Sequence, residues 1–230
     1  MTTAAALPPW RRVLAVVAHP DDESFGLGAV LDAFVRSGAD VRVLCLTRGE
    51  ASTLGGDLAD LGAVRERELN AAAADLGITE AMLGSWPDGA LDAAPRSEVV
   101  AQILADIDEY AVEGLVVFDP SGVTGHPDHR AATEAATTAG RERAVPVLAW
   151  TLPAEVADQL VTEFGAPFAG HAPDDIDLVL TVDRTTQRRA VLAHTTQAVP
   201  GSVLWRRLDL LGDREAMRWL THPMPESAGS

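Results

Sequence analysis

The apolar run VLAVVA, Val13 to Ala18, stops abruptly at His19-Pro20-Asp21-Asp22-Glu23, and a second apolar run, Val41 to Thr47, follows after one helix-length of sequence. Between them Ser24 to Ser37 carries apolar residues at helical spacing, at Phe25, Val30, Leu31 and Phe34, and Gly38 stands where a helix should stop. Strand, helix, strand at this spacing is a βαβ unit. It requires a parallel pair joined by a right-handed crossover, with helices covering the sheet. No other feature narrows the fold as much.

The alternation continues. Apolar runs at Gly114 to Phe118, Val147 to Thr151 and Ile176 to Val182 predict further strands. Helical patterns cover Gly62 to Leu76, Arg96 to Val112, His129 to Arg143, Ala154 to Phe164 and Arg184 to His194. This predicts an α/β fold, a Rossmann-like three-layer sandwich around a largely parallel sheet. A chain of 230 residues makes one such domain, 1–230, with 1–11 and 223–230 expected as loosely ordered tails. The Gly/Pro-rich stretches Ser85 to Pro95 and Pro167 to Asp175 read as surface loops.

In open α/β sheets ligands bind outside the carboxyl ends of the strands, which is where the acidic cluster falls. Gly26-Leu27-Gly28 lies near the same turn, but Leu31 stands where the dinucleotide fingerprint needs its third glycine, and the neighbouring acids would repel a pyrophosphate. A dinucleotide is therefore not expected.

Charge removes other classes. With 34 acidic and 18 basic residues, a net charge of −16 opposes both nucleic acid and anionic lipid surfaces. Every basic residue is arginine, so Schiff-base lysine chemistry and a phosphate-loop lysine are excluded. The single cysteine, Cys45, sits inside a predicted strand and reads as a buried core residue. No apolar stretch is long enough for a membrane span and the N-terminus lacks the pattern of a secretory signal, so a cytoplasmic protein is expected. A homo-oligomer is left open.

A second polar cluster, Gly125-His126-Pro127-Asp128-His129, follows the run LVVFDP, so it too belongs at the carboxyl end of a strand. Three of the six histidines lie in these two clusters. His19, Asp22 and His129 could give a divalent ion two imidazoles and one carboxylate and leave a position for water. Zinc is the first choice; the same donors suit Fe(II) or another divalent metal. Such an ion lowers the pKa of its water from 15.7 to roughly 7, within reach of a carboxylate base, and Asp21 is the free neighbour. His126 would face the open side of the metal as an imidazolium that steadies an oxyanion and protonates a leaving amine, with Asp128 orienting it. These parts describe metal-assisted hydrolysis of an amide or ester.

AHPDDE after the first strand and GHPDH later in the chain resemble the motifs of the PIG-L/LmbE family of zinc-dependent N-acetylglucosaminyl deacetylases. The resemblance spans most of the chain. It implies zinc ligation by His19, Asp22 and His129, with Asp21 as general base and His126 as electrostatic catalyst backed by Asp128. Thr47-Arg48-Gly49-Glu50 resembles the family's Thr-x-Gly-Glu, and Arg65 to Leu76 resembles its Arg-x-x-Glu…Leu-Gly helix. Glu50, Arg65 and Asp88 then match positions that contact substrate hydroxyls or order the site. Ala193-His194-Thr195-Thr196-Gln197 resembles Ala-His-x-Ser-Gln, with threonine where serine is usual. Members acting on the mycothiol precursor carry a tyrosine two residues before the histidine matched by His126; here Thr124 stands there, and the only tyrosine is Tyr110.

The expected activity is deacetylation of an N-acetylglucosamine-type amino sugar or its small conjugate by zinc-held water. With aromatics at 5%, a long stacking platform for a polymer is not evident, although Trp86 could stack on a sugar. Two alternatives stand beside it. One is an amidase of the same fold acting on a larger amide, such as a mycothiol S-conjugate or an N-acyl antibiotic. The other is a catalytically inactive module that binds metal or sugar.

Overall fold

The apolar runs become the centre of one sheet. The computed structural model describes residues 6–54, 56 and 58–223. Its strands are β1 (Arg12–Val17), β2 (Asp40–Thr47), β3 (Glu80–Trp86), β4 (Gly114–Phe118), β5 (Val147–Thr151), β6 (Leu178–Thr181) and β7 (Arg214–Thr221). They are ordered β3-β2-β1-β4-β5-β7-β6. The strands β1 to β5 are mutually parallel, while β7 runs antiparallel between β5 and β6.

Helices fill the two outer layers: α2 (Gly28–Arg36), α3 (Leu61–Leu76), α4 (Arg96–Tyr110), α6 (Pro127–Arg143), α7 (Ala154–Phe164), α8 (Thr185–Ala193) and α9 (Val203–Leu211). Two short turns, α1 (Asp22–Phe25) and α5 (Gly122–Gly125), lie at strand exits. Side chains alternate across each strand, so β1 feeds both cores. Val13, Ala15 and Val17 pack in one core with Phe34, and Leu14 and Val16 in the other with Ile103 and Ala135. Cys45 is buried in the first.

From β1 the chain winds outward through β2 to β3, then returns to β4 on the other side of β1. This reversal opens a crevice at the carboxyl ends of β1 and β4, the usual ligand position in such sheets. Both polar clusters sit there.

Several expectations need correction. The helix expected over Ser24–Ser37 is broken at Gly26. There the chain lies so close to Phe118 that a Cβ on Gly26 would be 2.3 Å from the ring. The loop expected from Ser85 begins inside β3, whose half-buried face obscures its periodicity. Neither β7 nor α9 was legible: β7 reads REAMRWLT, with charges where an apolar run would be. Residues 1–5 and 224–230 of the expected tails lie outside the described residues. Within 6–11 the chain is docked, since Trp10 is buried and stacks on Phe34 at 5.7 Å.

Candidate active site

The two clusters meet. After β1 the chain turns through Pro20 into α1. Asp21 adopts φ 155°, ψ −23°, a conformation rare for any residue with a side chain. Three sets of contacts hold it. Its N–H donates to Glu23 Oε2 at 3.0 Å, its carbonyl accepts from the N–H groups of Ser24 and Phe25, and its Oδ2 pairs with Arg65 Nη2 at 3.0 Å. Glu23 Oε1 in turn accepts from His194 Nε2 at 2.7 Å, both side chains being completely buried. His194, whose role the sequence left open, therefore anchors the base position through Glu23. Burial works against a charge on His194, but Glu23, then Asp21 and Glu68, keep its pKa raised.

After β4 the chain passes through α5, where Val123 has φ 65°, and enters α6 with Pro127 in its first turn. This start of α6 presents His126, Asp128 and His129 to the crevice. His129 Nε2 lies 3.2 Å from Asp22 Oδ1 and 3.2 Å from His19 Nδ1. Asp22 Oδ2 accepts from the backbone N–H groups of Ala18 and His19 and lies 3.6 Å from His19 Nδ1, while Oδ1 faces His129.

The ring tautomers show what this arrangement is built to hold. His129 Nδ1 donates to the Gly122 carbonyl, so Nε2 carries its lone pair. His19 Nε2 lies 3.1 Å from Asp88 Oδ1 and 3.2 Å from Asp128 Oδ2, so the ring hydrogen belongs there and Nδ1 carries its lone pair. In the neutral rings two lone pairs and a carboxylate oxygen thus point at one another, which added positive charge, as ring protons or as a shared cation, reconciles. The electrostatics agree. Burial opposes charge on His19, yet hydrogen bonds to Asp128, Asp22 and Asp88 push its pKa up to about 12. His129 rises as well, against burial, through Asp22. The site demands positive charge, and a divalent ion fits the donor set of His19, Asp22 and His129, whose ligand atoms lie within 4.8 Å of one another. His19, His126 and Asp128 form a second such group. It is the poorer set, because both Asp128 oxygens are already taken by the N–H groups of Gly89 and Leu91.

Asp128 is therefore placed differently from expectation. Its carboxylate orients His19, and its link to His126 runs through the backbone, with Asp128 N–H donating to His126 Nδ1 at 3.3 Å. His126 stacks on His129 at 4.8 Å and keeps Nε2 for a hydrogen on the cavity side. Burial, then His129 and His19, hold its pKa below the ordinary value, so the neutral ring rather than the expected imidazolium is the resting form. Asp21 is pushed up to about 6, mainly by burial and against the pull of Arg65, which leaves it ionised and basic at neutral pH.

The residues expected to contact substrate hydroxyls or order the site are mostly engaged by the protein. Arg65 is buried and donates to the carbonyls of Gly49 and Pro20 while pairing with Asp21, so it orders the site. A Cβ at Gly49, which has φ +65°, would lie 2.1 Å from Arg65 Nη1, so glycine is needed there. Glu50 is exposed, and its Oε1 accepts from the Asp88 N–H at 3.1 Å. Asp88 accepts from the Ala51 N–H and faces His19.

His19, Asp21, Asp22, Arg65, Asp88, His126 and His129 line a cavity of about 650 Å³, within the roughly 300–1,000 Å³ range of small-molecule sites. Thr124 and Gln197 contribute to it, and Gln197 Oε1 accepts from Ser52 Oγ at 2.8 Å. Trp86 does not line the cavity; its Nε1 donates to Gln102, and the tryptophan at the cavity is Trp150. Tyr110 lies elsewhere, under the Arg42 guanidinium.

The chain is similar to proteins described as deacetylases. The model of a family described as PIG-L: GlcNAc-PI de-N-acetylase matches residues 14–140. The 1D-myo-inositol 2-acetamido-2-deoxy-alpha-D-glucopyranoside deacetylase of Mycobacterium avium is 35% identical over 83% of this chain and 81% of its own length. The enzyme of the same description from Mycolicibacterium vanbaalenii is 34% identical over 81% of this chain and 80% of its own length. A crystal structure of a deacetylase from the teicoplanin biosynthesis pathway superposes with a TM-score of 0.73 at 25% identity, covering 94% of this chain and 100% of that one.

Proposed function

The chain belongs to the PIG-L family of GlcNAc-PI de-N-acetylases, and on that premise we propose that it is a metal-dependent hydrolase releasing acetate from an N-acetylglucosamine-type sugar or its conjugate. The observation that carries this reading is the convergence of His19 Nδ1, His129 Nε2 and Asp22 Oδ1 beside Asp21 in one cavity. The similar Mycobacterium avium protein is described as acting on such an acetamido sugar.

His19, Asp22 and His129 would hold the ion, zinc by first preference, which supplies Lewis acidity and lowers the pKa of water to about 7. The carboxylate of Asp21, fixed by Arg65, accepts the proton of the attacking water. His126 offers a neutral Nε2–H to the acyl oxygen as charge develops, since its Nδ1 is already committed to the Asp128 N–H. Asp128 and Asp88 keep the His19 ring in the tautomer that frees Nδ1. Water is consumed, the amide C–N bond breaks, and the proton held by Asp21 accounts for the proton gained by the amine.

The test is amine release from N-acetylglucosamine glycosides by the wild type and by Asp21→Ala. The variant is expected to retain the metal and to lose turnover by about two to four orders of magnitude. Full turnover in Asp21→Ala would remove Asp21 from the mechanism.

A further inference from the structure

The cavity has a second arm that the reaction does not use. It is lined by Phe25, Phe118, Trp150, Phe168 and Leu204, and Arg207 of α9 forms part of the same wall. Two of these rings touch each other and flank the site and Arg207. Phe118 lies 4.9 Å from the His129 ring, Trp150 lies 5.4 Å from Phe118, and Arg207 Cζ lies 5.1 Å from the Trp150 centroid.

Among the described residues Arg207 is a cation without a counter-ion. Its Nη2 donates to the Phe25 carbonyl, and its Nε is buried with no hydrogen-bond partner among the described residues. Among the described residues no carboxylate forms an ion pair with it. Glu215, the acid acting on it most strongly, is already bonded to Arg184 Nη1 and to Trp150 Nε1. Burial, with Arg184 adding to it, brings the Arg207 pKa down to about 10, so it remains charged at neutral pH. A sequestered charge left unpaired is costly, and this chain has 34 acidic residues from which a partner could have come. Among the described residues none is placed there, although the guanidinium borders the site cavity.

We infer that this arm binds a limb of the substrate with an apolar body and a terminal carboxylate, the rings taking the body and Arg207 the carboxylate. A planar guanidinium suits that partner, and aromatic walls strengthen the pairing by excluding water. The inference rests on the deacetylase reading and deepens it, because it adds a substrate class to the reaction. The limb can belong to the aglycone or to the acyl group, and the probes below separate the two.

The experiment compares kcat/KM for two pairs of probes that differ only in the carboxylate. One pair is the pentyl and 4-carboxybutyl glycosides of N-acetylglucosamine; the other is N-pentanoyl- and N-glutaryl-glucosamine. The methyl glycoside of N-acetylglucosamine tests the deacetylase reading itself. In one pair the acid is expected to exceed its neutral partner by about tenfold or more, and that pair identifies the limb. Arg207→Met should bring the ratio to about one, with folding checked by thermal melting. Val203→Asp, which places a carboxylate in the same arm, should lower the ratio without touching Arg207. Equal rates for acid and neutral probes in both pairs, or a preference that survives Arg207→Met, would overturn the inference. If even the methyl glycoside is not hydrolysed, the deacetylase reading fails. The arm is then judged by calorimetry with pentanoate on chelator-treated protein: binding weakened about tenfold or more by Arg207→Met supports it, and absence of binding to the wild type overturns it.

Discussion

Replacing Glu23 with alanine removes the acceptor for the Asp21 N–H and the hydrogen-bond partner of His194 Nε2 in one step. The pair is completely buried, so deleting one member leaves an imidazole whose Nδ1 already lacks a partner. Breaking a buried pair in this way costs about 3–5 kcal/mol. The Asp21 backbone, at φ 155°, stores a further strain of order 1–3 kcal/mol that it can then relieve by moving. A shift of about 1 Å in a catalytic group costs on the order of a hundredfold in rate, so kcat should fall by about that factor while KM changes little. Glu23→Gln provides the contrast. Its amide oxygen can still accept from Asp21 N–H, and its NH₂ can donate to Nε2 of a neutral His194. Stability within about 1–2 kcal/mol of wild type and most of kcat are expected for it. Urea unfolding gives the stability difference and steady-state amine release gives kcat and KM. If Glu23→Ala matches Glu23→Gln in both, the anchoring of Asp21 through Glu23 and His194 is wrong.

Gly49→Ala should act on the same base from the other side. The new Cβ would meet Arg65 at 2.1 Å, and the displaced guanidinium releases Asp21. A loss of about 1–3 kcal/mol and about a hundredfold in kcat is expected, read by thermal melting and amine release. Asp106 of α4 gives a pH signature away from the site. Burial first, then Glu109 and Glu80, raise its pKa from 3.8 to about 6, and its Oδ2 is buried without a partner. Folding therefore favours the protonated acid: there is no penalty below about pH 4, and the penalty grows to its full size above about pH 6. The rise corresponds to a ceiling of about 3 kcal/mol, which solvent screening at this partly exposed carboxyl reduces to about 1 kcal/mol. Asp106→Asn should raise Tm at pH 7 by about 2–4 °C and leave it unchanged near pH 3.5. An equal gain at both pH values would refute the assignment.

The parallel half of the fold was legible because β1, β2 and β4 are buried on both faces and must be written as apolar runs. The same burial forces polar groups to the strand ends, which made His19, Asp22 and His129 visible together. Strand β7 was hidden for the opposite reason. Its Glu215 serves Trp150 and Arg184, and its Arg218 pairs with Asp119, so its charges are satisfied within the fold and break the apolar pattern. The placement of Asp128 on His19 rather than His126 depends on how the loop holding Gly89 and Leu91 packs against α6, which spacing along the chain does not encode. His194 had a visible motif, but its partner Glu23 lies 171 residues earlier. Arg207 had no motif. It is distinctive only through what its surroundings lack.

The most direct measurement is the metal content of the purified protein, taken together with amine release before and after chelation. The expected result is about one divalent ion per chain, loss of turnover when it is removed, recovery on adding it back, and failure of Asp22→Ala to retain it. Amine release that continues at full rate in metal-free protein would contradict the cation site at His19, Asp22 and His129.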